Sequence, residues 1–173
     1  MILRRIPQAT DGDSTAAERV AQEGAIFRHI LLPTDGSALS SRAVKRGLQF
    51  AGSIRAKVTA LYVVPDFRMM GDEGFVSPLG VALKPRIEKE SREYASKVLA
   101  RVDKLAAAAG VRCDTVANTG VAPHRQIVAT ARKRKCDLII MASHGRSGLS
   151  SLLLGSETAK VLAHSKIPVM VLR

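Results

Sequence analysis

The sequence predicts an α/β protein with an open, Rossmann-like sheet of five parallel strands and helices on both faces. Three observations lead to this fold class. Short apolar segments alternate with amphipathic helical patterns from residue 26 to residue 173. Most of the apolar segments are nearly continuous runs, as strands buried on both faces require. Right-handed crossovers then favour a doubly wound sheet, for which we expect the strand order 3-2-1-4-5.

Each predicted strand is a run of β-branched and aliphatic residues that a turn residue or a helix-like pattern ends. The third run is more polar than the others and is the weakest of the five. The strands are expected at residues 27–33, 57–64, 111–117, 137–141 and 167–172.

Four stretches between the strands carry apolar residues at helical spacing. The first begins with Ser37 or Ser40 as its N-cap and is expected to end at Gly52. Gly110 is expected to close the second. The other three helices are expected at residues 87–106, 123–135 and 156–163.

Two segments carry no clear periodicity. Residues 1–25 are polar and mixed in charge, and we expect a flexible extension with room for a short helix at 15–22. Residues 66–83 are expected to form a loop whose Met69, Met70 and Phe75 suit a lid, a partner site or a disordered segment. The domain itself is expected to span residues 26–173.

Composition bounds the class of protein. The chain has 173 residues, 46% of them hydrophobic, which excludes a disordered polymer and allows one well-formed core. It contains neither an apolar run of the roughly 18 residues that span a membrane nor a signal-peptide pattern. A cytoplasmic protein without membrane contact is therefore expected.

The net charge of +12 is the second compositional signal. Only 3% of the residues are aromatic, so platforms for stacking unpaired bases are scarce. The densest basic run, residues 132–135, ends a predicted helix, where cations complement the helix dipole. Nucleic acid is therefore not expected as a partner, whereas attraction of a small anionic ligand such as a nucleotide is.

Cysteine and histidine residues give weaker signals. Cys113 and Cys136 lie in strand-like surroundings and are expected to be buried thiols. His29, His124 and His164 are expected at the surface or at helix ends. The remaining histidine, at position 144, lies in the loop that carries the strongest functional signal.

That loop, residues 141–148, follows the fourth strand and reads MASHGRSG, and Gly155-Ser156 then opens the last helix. Glycines let the backbone approach an anion closely. Successive N–H groups and a helix N-terminus attract phosphate. With the order 3-2-1-4-5 this loop lies at the switch point of the sheet, next to Asp35 after the first strand.

Three other phosphate sites do not fit the chain. A dinucleotide-binding site needs three spaced glycines after the first strand, and the segment 34–38 has one. A P-loop ends in Gly-Lys-Ser/Thr, and Gly155-Ser156 lacks the lysine. A receiver domain needs an acidic cluster, and Asp35 stands alone at its strand end.

The motifs together resemble the universal stress protein family. Its signature runs glycine, two residues, glycine, nine residues, glycine and then serine or threonine. Ala142, Gly145, Gly155 and Ser156 keep this spacing, with alanine in the first place. The opening strand and loop, the fourth strand and the C-terminal strand also match, so the resemblance covers residues 27–173.

The resemblance implies an ATP-binding regulator in the response to stress, with magnesium on the phosphates. Asp35 would contact the nucleoside, Pro33 and Val63 would line the adenine pocket, and the loop and the start of the last helix would hold phosphate. Arg146 either reaches the phosphates or stays solvated. The implied site residues are Pro33, Thr34, Asp35, Val63, Met141, Ala142, Ser143, His144, Gly145, Arg146, Gly155, Ser156 and Glu157.

Ala142 departs from the signature. It is tolerated if its backbone is extended, whereas a positive φ would cost about 1–2 kcal/mol. We expect toleration, because Ala142 continues the fourth strand.

Alternatives remain open at this point. Asp35 could serve only an Asx turn, and His144 could shape the loop or act as a base, although no catalytic residue is assigned. A slow ATPase, an adenylating enzyme and a protein-interaction module are the other functions considered. The apolar strand at 167–173 invites pairing with a second copy, as the resemblance also implies, so a homodimer is expected.

Overall fold

The computed structural model describes residues 26–66, 78–145 and 154–173. Five parallel strands form one sheet in the order β3-β2-β1-β4-β5, which confirms the predicted fold class and strand order. The strands are β1 (His29–Pro33), β2 (Lys57–Val64), β3 (Cys113–Thr119), β4 (Leu138–Ala142) and β5 (Val169–Leu172). The helices are α1 (Ala38–Ser53), α2 (Pro78–Ala108), α3 (Pro123–Lys133) and α4 (Ser156–His164).

The central strands are apolar on both sides because helices cover both faces of the sheet. On β1, Ile30 and Leu32 belong to the core cluster that α1 and α2 complete. Leu31 points the other way, into the cluster that α3 and α4 complete. All three side chains are fully buried.

The start of α1 agrees with the sequence, but its end does not. Ser37 is the N-cap, since its Oγ accepts a hydrogen bond from the Ser40 backbone N–H at 3.2 Å. The prediction that Gly52 ends the helix is wrong. Gly52 lies within α1, and the turn that leaves the helix is made by Arg55, with a φ of 56°.

The expected loop over 66–83 is also wrong over residues 78–83, because α2 already begins at Pro78. Pro85 lies inside this helix. Proline usually ends or kinks a helix, which explains why the helical pattern is visible only from residue 87 onward. Gly110 follows the end of α2 with a φ of 65°, as a C-terminal glycine should.

The remaining boundaries shift by one or two residues. Helix α3 ends at Lys133 rather than at residue 135, and Lys135 takes a φ of 55° before β4. Strands β3 and β5 each begin two residues later than predicted. The expected extension 1–25 with its short helix, and Met69, Met70 and Phe75, lie outside the described residues.

Because all strands run parallel, their carboxyl ends share one edge of the sheet and their amino ends share the opposite edge. We call these the carboxyl edge and the amino edge. No helix in the described part of the chain is long and apolar enough to cross a membrane.

Candidate functional site

The predicted site residues that the structure describes gather at the carboxyl edge, where β1 and β4 lie side by side. Ile30 pairs with Leu138 and Leu31 with Ile139. After β1 the chain enters α1 on one face, whereas α4, which follows β4, lies on the other. The strand order therefore reverses between these two strands, and in open α/β sheets the ligand crevice lies above such a reversal.

Asp35 occupies one wall of this crevice. Its Oδ1 accepts the Ser37 backbone N–H at 3.0 Å, which forms the Asx turn that starts α1. A Cβ placed on Gly145 would lie only 2.7 Å from the Asp35 Oδ2. One carboxylate oxygen thus serves the turn while the other lies against the loop after β4, as the strand order led us to expect.

The start of α4 lies directly on the end of β4. The Gly155 N–H donates to the Ser143 carbonyl at 2.8 Å, and the Thr158 hydroxyl donates to the Ala142 carbonyl at 3.0 Å. A Cβ on Gly155 would approach the Ser143 oxygen to 3.0 Å and the His144 Cα to 3.1 Å. Only glycine allows this approach without displacing backbone.

Ser143 and His144 directly follow β4, between Asp35 and the start of α4. The Ser143 N–H donates to the Leu172 carbonyl at 2.8 Å, and the Ser143 Oγ lies 3.0 Å from the His144 Nδ1. The His144 Nε2 is buried and bonds to none of the described residues. Since a buried polar atom without a partner is costly, a ligand oxygen here would relieve that cost.

Ala142 is a buried residue of β4. The described non-glycine residues with positive φ are Arg55 and Lys135, and Ala142 is not among them. Its methyl group therefore causes no backbone strain, and the expected toleration is confirmed.

Pro33, Thr34 and Val63 lie at the carboxyl ends of β1 and β2. The Thr34 N–H donates to the Leu61 carbonyl at 2.8 Å, which continues the pairing of the two strands. The Thr34 side chain is buried, with its Oγ1 3.0 Å from the Ser40 Oγ. The Thr34 hydroxyl therefore supports the start of α1. The side chain of Val63 is only partly buried.

The carboxylate of Glu157 is bonded to protein groups and is not placed toward a phosphate, although a position at the phosphates had been expected. Its Oε2 accepts the His124 N–H at 2.8 Å and lies 3.0 Å from the His124 Nδ1, and its Oε1 pairs with Lys160 at 2.9 Å. Burial raises the pKa of this carboxyl, but the bonds from Lys160 and His124 outweigh burial and lower the pKa. Because this carboxylate would repel phosphate, Glu157 can offer an anion only its backbone N–H.

Sequence reasoning missed the part that His124 plays. It lies 33 residues before Glu157 and holds the start of α3 to the start of α4, and its ring lies 5.7 Å from that of His164. No local pattern signals such a pair. Of the other predicted residues, Met141 is buried in β4, Ser156 is exposed at the start of α4, and Arg146 lies outside the described residues.

His29 contradicts the expectation of a surface residue. It is 5% exposed at the start of β1, and its Nε2 lies 2.8 Å from the Thr59 Oγ1. Burial and, second, the charge of Lys57 lower the pKa of His29. The expected burial of Cys136 is confirmed, whereas Cys113 is only partly buried, and burial raises the thiol pKa of both to about 11.

Comparison with known proteins identifies the family to which the chain is similar. The sequence profile of the universal stress protein family matches residues 26–173. A universal stress protein of Methanocaldococcus jannaschii is 35% identical over 150 residues, which cover 86% of this chain and 83% of the relative.

Solved structures of universal stress proteins have a similar fold. The universal stress protein UspA of Lactobacillus plantarum aligns with a TM-score of 0.71 at 25% identity, covering 85% of this chain and 98% of its own. A universal stress protein crystallised in complex with cAMP aligns with a TM-score of 0.63 at 28% identity, covering 85% and 97%.

Proposed function

The chain belongs to the universal stress protein family, and from this premise we propose that it binds ATP at the carboxyl edge as a nucleotide-dependent regulator in the stress response. The observation that carries the proposal is the closure of Gly155 onto Ser143 beside Asp35. It brings a helix N-terminus, two glycines and a carboxylate around one crevice. The relative in complex with cAMP supports an adenine nucleotide as the ligand class.

Each wall of the crevice suits one part of ATP. The Asp35 carboxylate accepts hydrogen bonds from ribose hydroxyls, and Pro33 with Val63 gives an apolar surface to the adenine. The backbone at 143–145 and the N-terminus of α4 at Gly155 and Ser156 attract the phosphates. Arg146 is a further candidate for the phosphates, and magnesium enters on the phosphate oxygens rather than on a protein cage.

A thermal-shift measurement with ATP and magnesium tests the proposal. ATP at about 100 times its Kd stabilises the protein by about 2.7 kcal/mol, which raises Tm by a few degrees in a domain of this size. ADP and AMP are measured beside it. An unchanged Tm with all three nucleotides contradicts the proposal.

Two glycine variants provide the matched control. A Cβ at Gly155 meets backbone at 3.0 Å, whereas a Cβ at Gly52 meets a Val111 methyl at 3.5 Å, an ordinary contact. We expect Gly155→Ala to weaken ATP binding about tenfold or more, which is at least about 1.4 kcal/mol. Gly52→Ala should bind as the unmodified protein does. Equal loss in both variants contradicts the assigned site.

The proposal includes a homodimer formed through β5. This strand ends the sheet, and its four residues, all partly buried in the single chain, are apolar. Antiparallel pairing with a second β5 about a two-fold axis covers this edge on both copies. Light scattering at micromolar concentration measures the mass, and a monomer contradicts this part of the proposal.

A further inference from the structure

The amino edge collects cations from five separate parts of the chain. Each turn or helix end that leads into a strand contributes at least one exposed Lys or Arg. We call the set the amino-edge basic surface, and it consists of Arg28, Arg55, Lys57, Arg112, Lys133, Arg134, Lys135 and Lys166.

Backbone hydrogen bonds hold these segments side by side. The Lys57 N–H donates to the Arg28 carbonyl at 3.0 Å, and the Val58 N–H donates to the Arg112 carbonyl at 2.8 Å. On the other side of β1 lies the segment that leads into β4. The Asp137 N–H of this segment donates a hydrogen bond to the His29 carbonyl of β1 at 2.9 Å. The surface is thus continuous from β3 to β4.

The charge of this surface is only partly balanced. Among the described residues three carboxylates, those of Asp103, Asp114 and Asp137, lie at or near the same edge, so the eight cations exceed these carboxylates by five. The helices that end at this edge add about half a negative charge each, roughly two in total. After the carboxylates and the helix dipoles are subtracted, about three positive charges remain. The cations are therefore more numerous than is needed to neutralise the ends of the helices.

We propose that the amino-edge basic surface binds the phosphate backbone of double-stranded nucleic acid without reading its sequence. Five strands about 4.8 Å apart make this edge about 19 Å wide. A duplex carries one phosphate charge per roughly 1.7 Å of axis, hence about eleven over that width, about half of them facing the protein. Eight cations, four of them Arg, are therefore enough to meet every one of the phosphates that face this edge.

Other polyanions fit this surface less well. The scarcity of aromatic residues argues against single strands, whose bases need stacking partners, but duplex phosphates need none. A membrane-binding surface needs apolar residues that insert among the lipids. Among the exposed large apolar side chains of the described residues, only Ile26 and Leu162 adjoin this edge, and they come from separate segments of the chain.

A fluorescence-anisotropy titration with a labelled duplex DNA of about 20 base pairs tests the proposal across roughly 50–200 mM salt. The test variant combines Arg55→Asn, Lys57→Gln, Arg134→Gln and Lys135→Asn. Asparagine is used at 55 and 135 because it tolerates their positive φ. We expect at least about tenfold weaker binding and a salt slope that is flatter by about 3 to 4.

The matched control removes four cations from the part of α2 that lies away from this edge, with Arg86→Gln, Lys89→Gln, Arg92→Gln and Lys97→Gln. Both variants carry a net charge of +8, since 12 minus 4 is 8. The control should keep more affinity and more of the salt slope than the test variant. ATP-dependent stabilisation, measured on all three proteins, reports separately on the carboxyl edge and on the fold.

Three results overturn the proposal. The first is absence of duplex binding at about 50 mM salt. The second is equal loss in the two variants, which means that net charge alone matters. The third is binding to phosphatidylserine vesicles without binding to the duplex, which assigns the surface to a membrane.

Discussion

The two edges of the sheet are built from the same strands and differ in almost every chemical respect. Around β1 and β4 the carboxyl edge is made of glycine, small polar residues and the Asp35 carboxylate, with backbone packed on backbone at Gly155. The amino edge is made of exposed long cations on short turns. The comparison teaches that one edge brings glycine and backbone into close contact over a small area, whereas the other offers charge over a wide area.

The edges also differ in how their carboxylates are used. At the carboxyl edge the Asp35 Oδ1 serves its own turn, and the Oδ2 lies beside Gly145. At the amino edge Asp137 accepts the backbone N–H groups of Arg28 at 2.8 Å and His29 at 3.0 Å. Asp137 therefore joins the start of β1 to the start of β4, whereas Asp35 lies between its own turn and the loop after β4.

The largest expected effect concerns stability at the amino edge. Asp137→Ala removes two hydrogen bonds to a charged acceptor and should lower the free energy of unfolding by about 2 kcal/mol. Urea denaturation measures this loss. The same variant adds one positive charge to the surface, so its affinity for duplex DNA should rise although its stability falls.

Asp103→Ala is the control for this variant, since it makes the same change in charge on the exposed side of α2. It should change the unfolding free energy by less than about 0.5 kcal/mol. If the two variants are equally stable, the carboxylate of Asp137 has no structural role.

The next effect concerns ligand binding at the carboxyl edge. Asp35→Asn keeps an oxygen for the Ser37 N–H but removes the charge and the second acceptor. We expect ATP to bind about tenfold more weakly, or about 1.4 kcal/mol, with the unliganded stability unchanged. Isothermal titration calorimetry measures the affinity, and Asp114→Asn at the amino edge is the control. If Asp35→Asn binds ATP with unchanged affinity, the only role of Asp35 is to form the Asx turn.

The smallest effect is a pH dependence at the amino edge. His29 is buried and its pKa is lowered below the ordinary value of about 6.5. The groups around it are Lys57 on β2, Asp114 on β3 and Asp137 before β4. Its contribution to stability is therefore complete above the unfolded pKa and is lost as the pH falls through the folded pKa.

Urea denaturation at several pH values between about 7.5 and 5 tests this. The unmodified protein should lose stability on acidification, and His29→Gln, which still offers a polar partner to Thr59, should lose less. Identical slopes in the two proteins would show that His29 does not titrate in this range.

Much of the fold could be predicted because parallel strands impose a strong local pattern. The runs at 30–32 and 138–141 are apolar without interruption since helices cover both faces, and Ser37 is a cap that sequence alone identifies. Errors arose where residues act against their usual preference. Pro85 lies within a helix, and Arg55 takes a positive φ that glycine usually supplies.

The candidate site could be predicted in position but not in every role. The expected strand order placed Asp35 beside the loop after β4, and in the structure Gly145 lies against Asp35 while Gly155 lies against Ser143 and His144. Glu157 was expected at the phosphates, yet its carboxylate is bonded to His124 and Lys160. That contact joins residues 33 positions apart on two helices, and no local pattern encodes it.

The sequence by itself determined the strand and helix alternation, the phosphate-loop spacing and the family, because each depends on residues close together in the chain. The tertiary structure alone decided that eight scattered cations form one surface. Positions from Arg28 to Lys166 are far apart in sequence, but each precedes or begins a strand. A parallel sheet aligns the starts of all its strands at one edge, and this long-range geometry turns dispersed charge into the amino-edge basic surface.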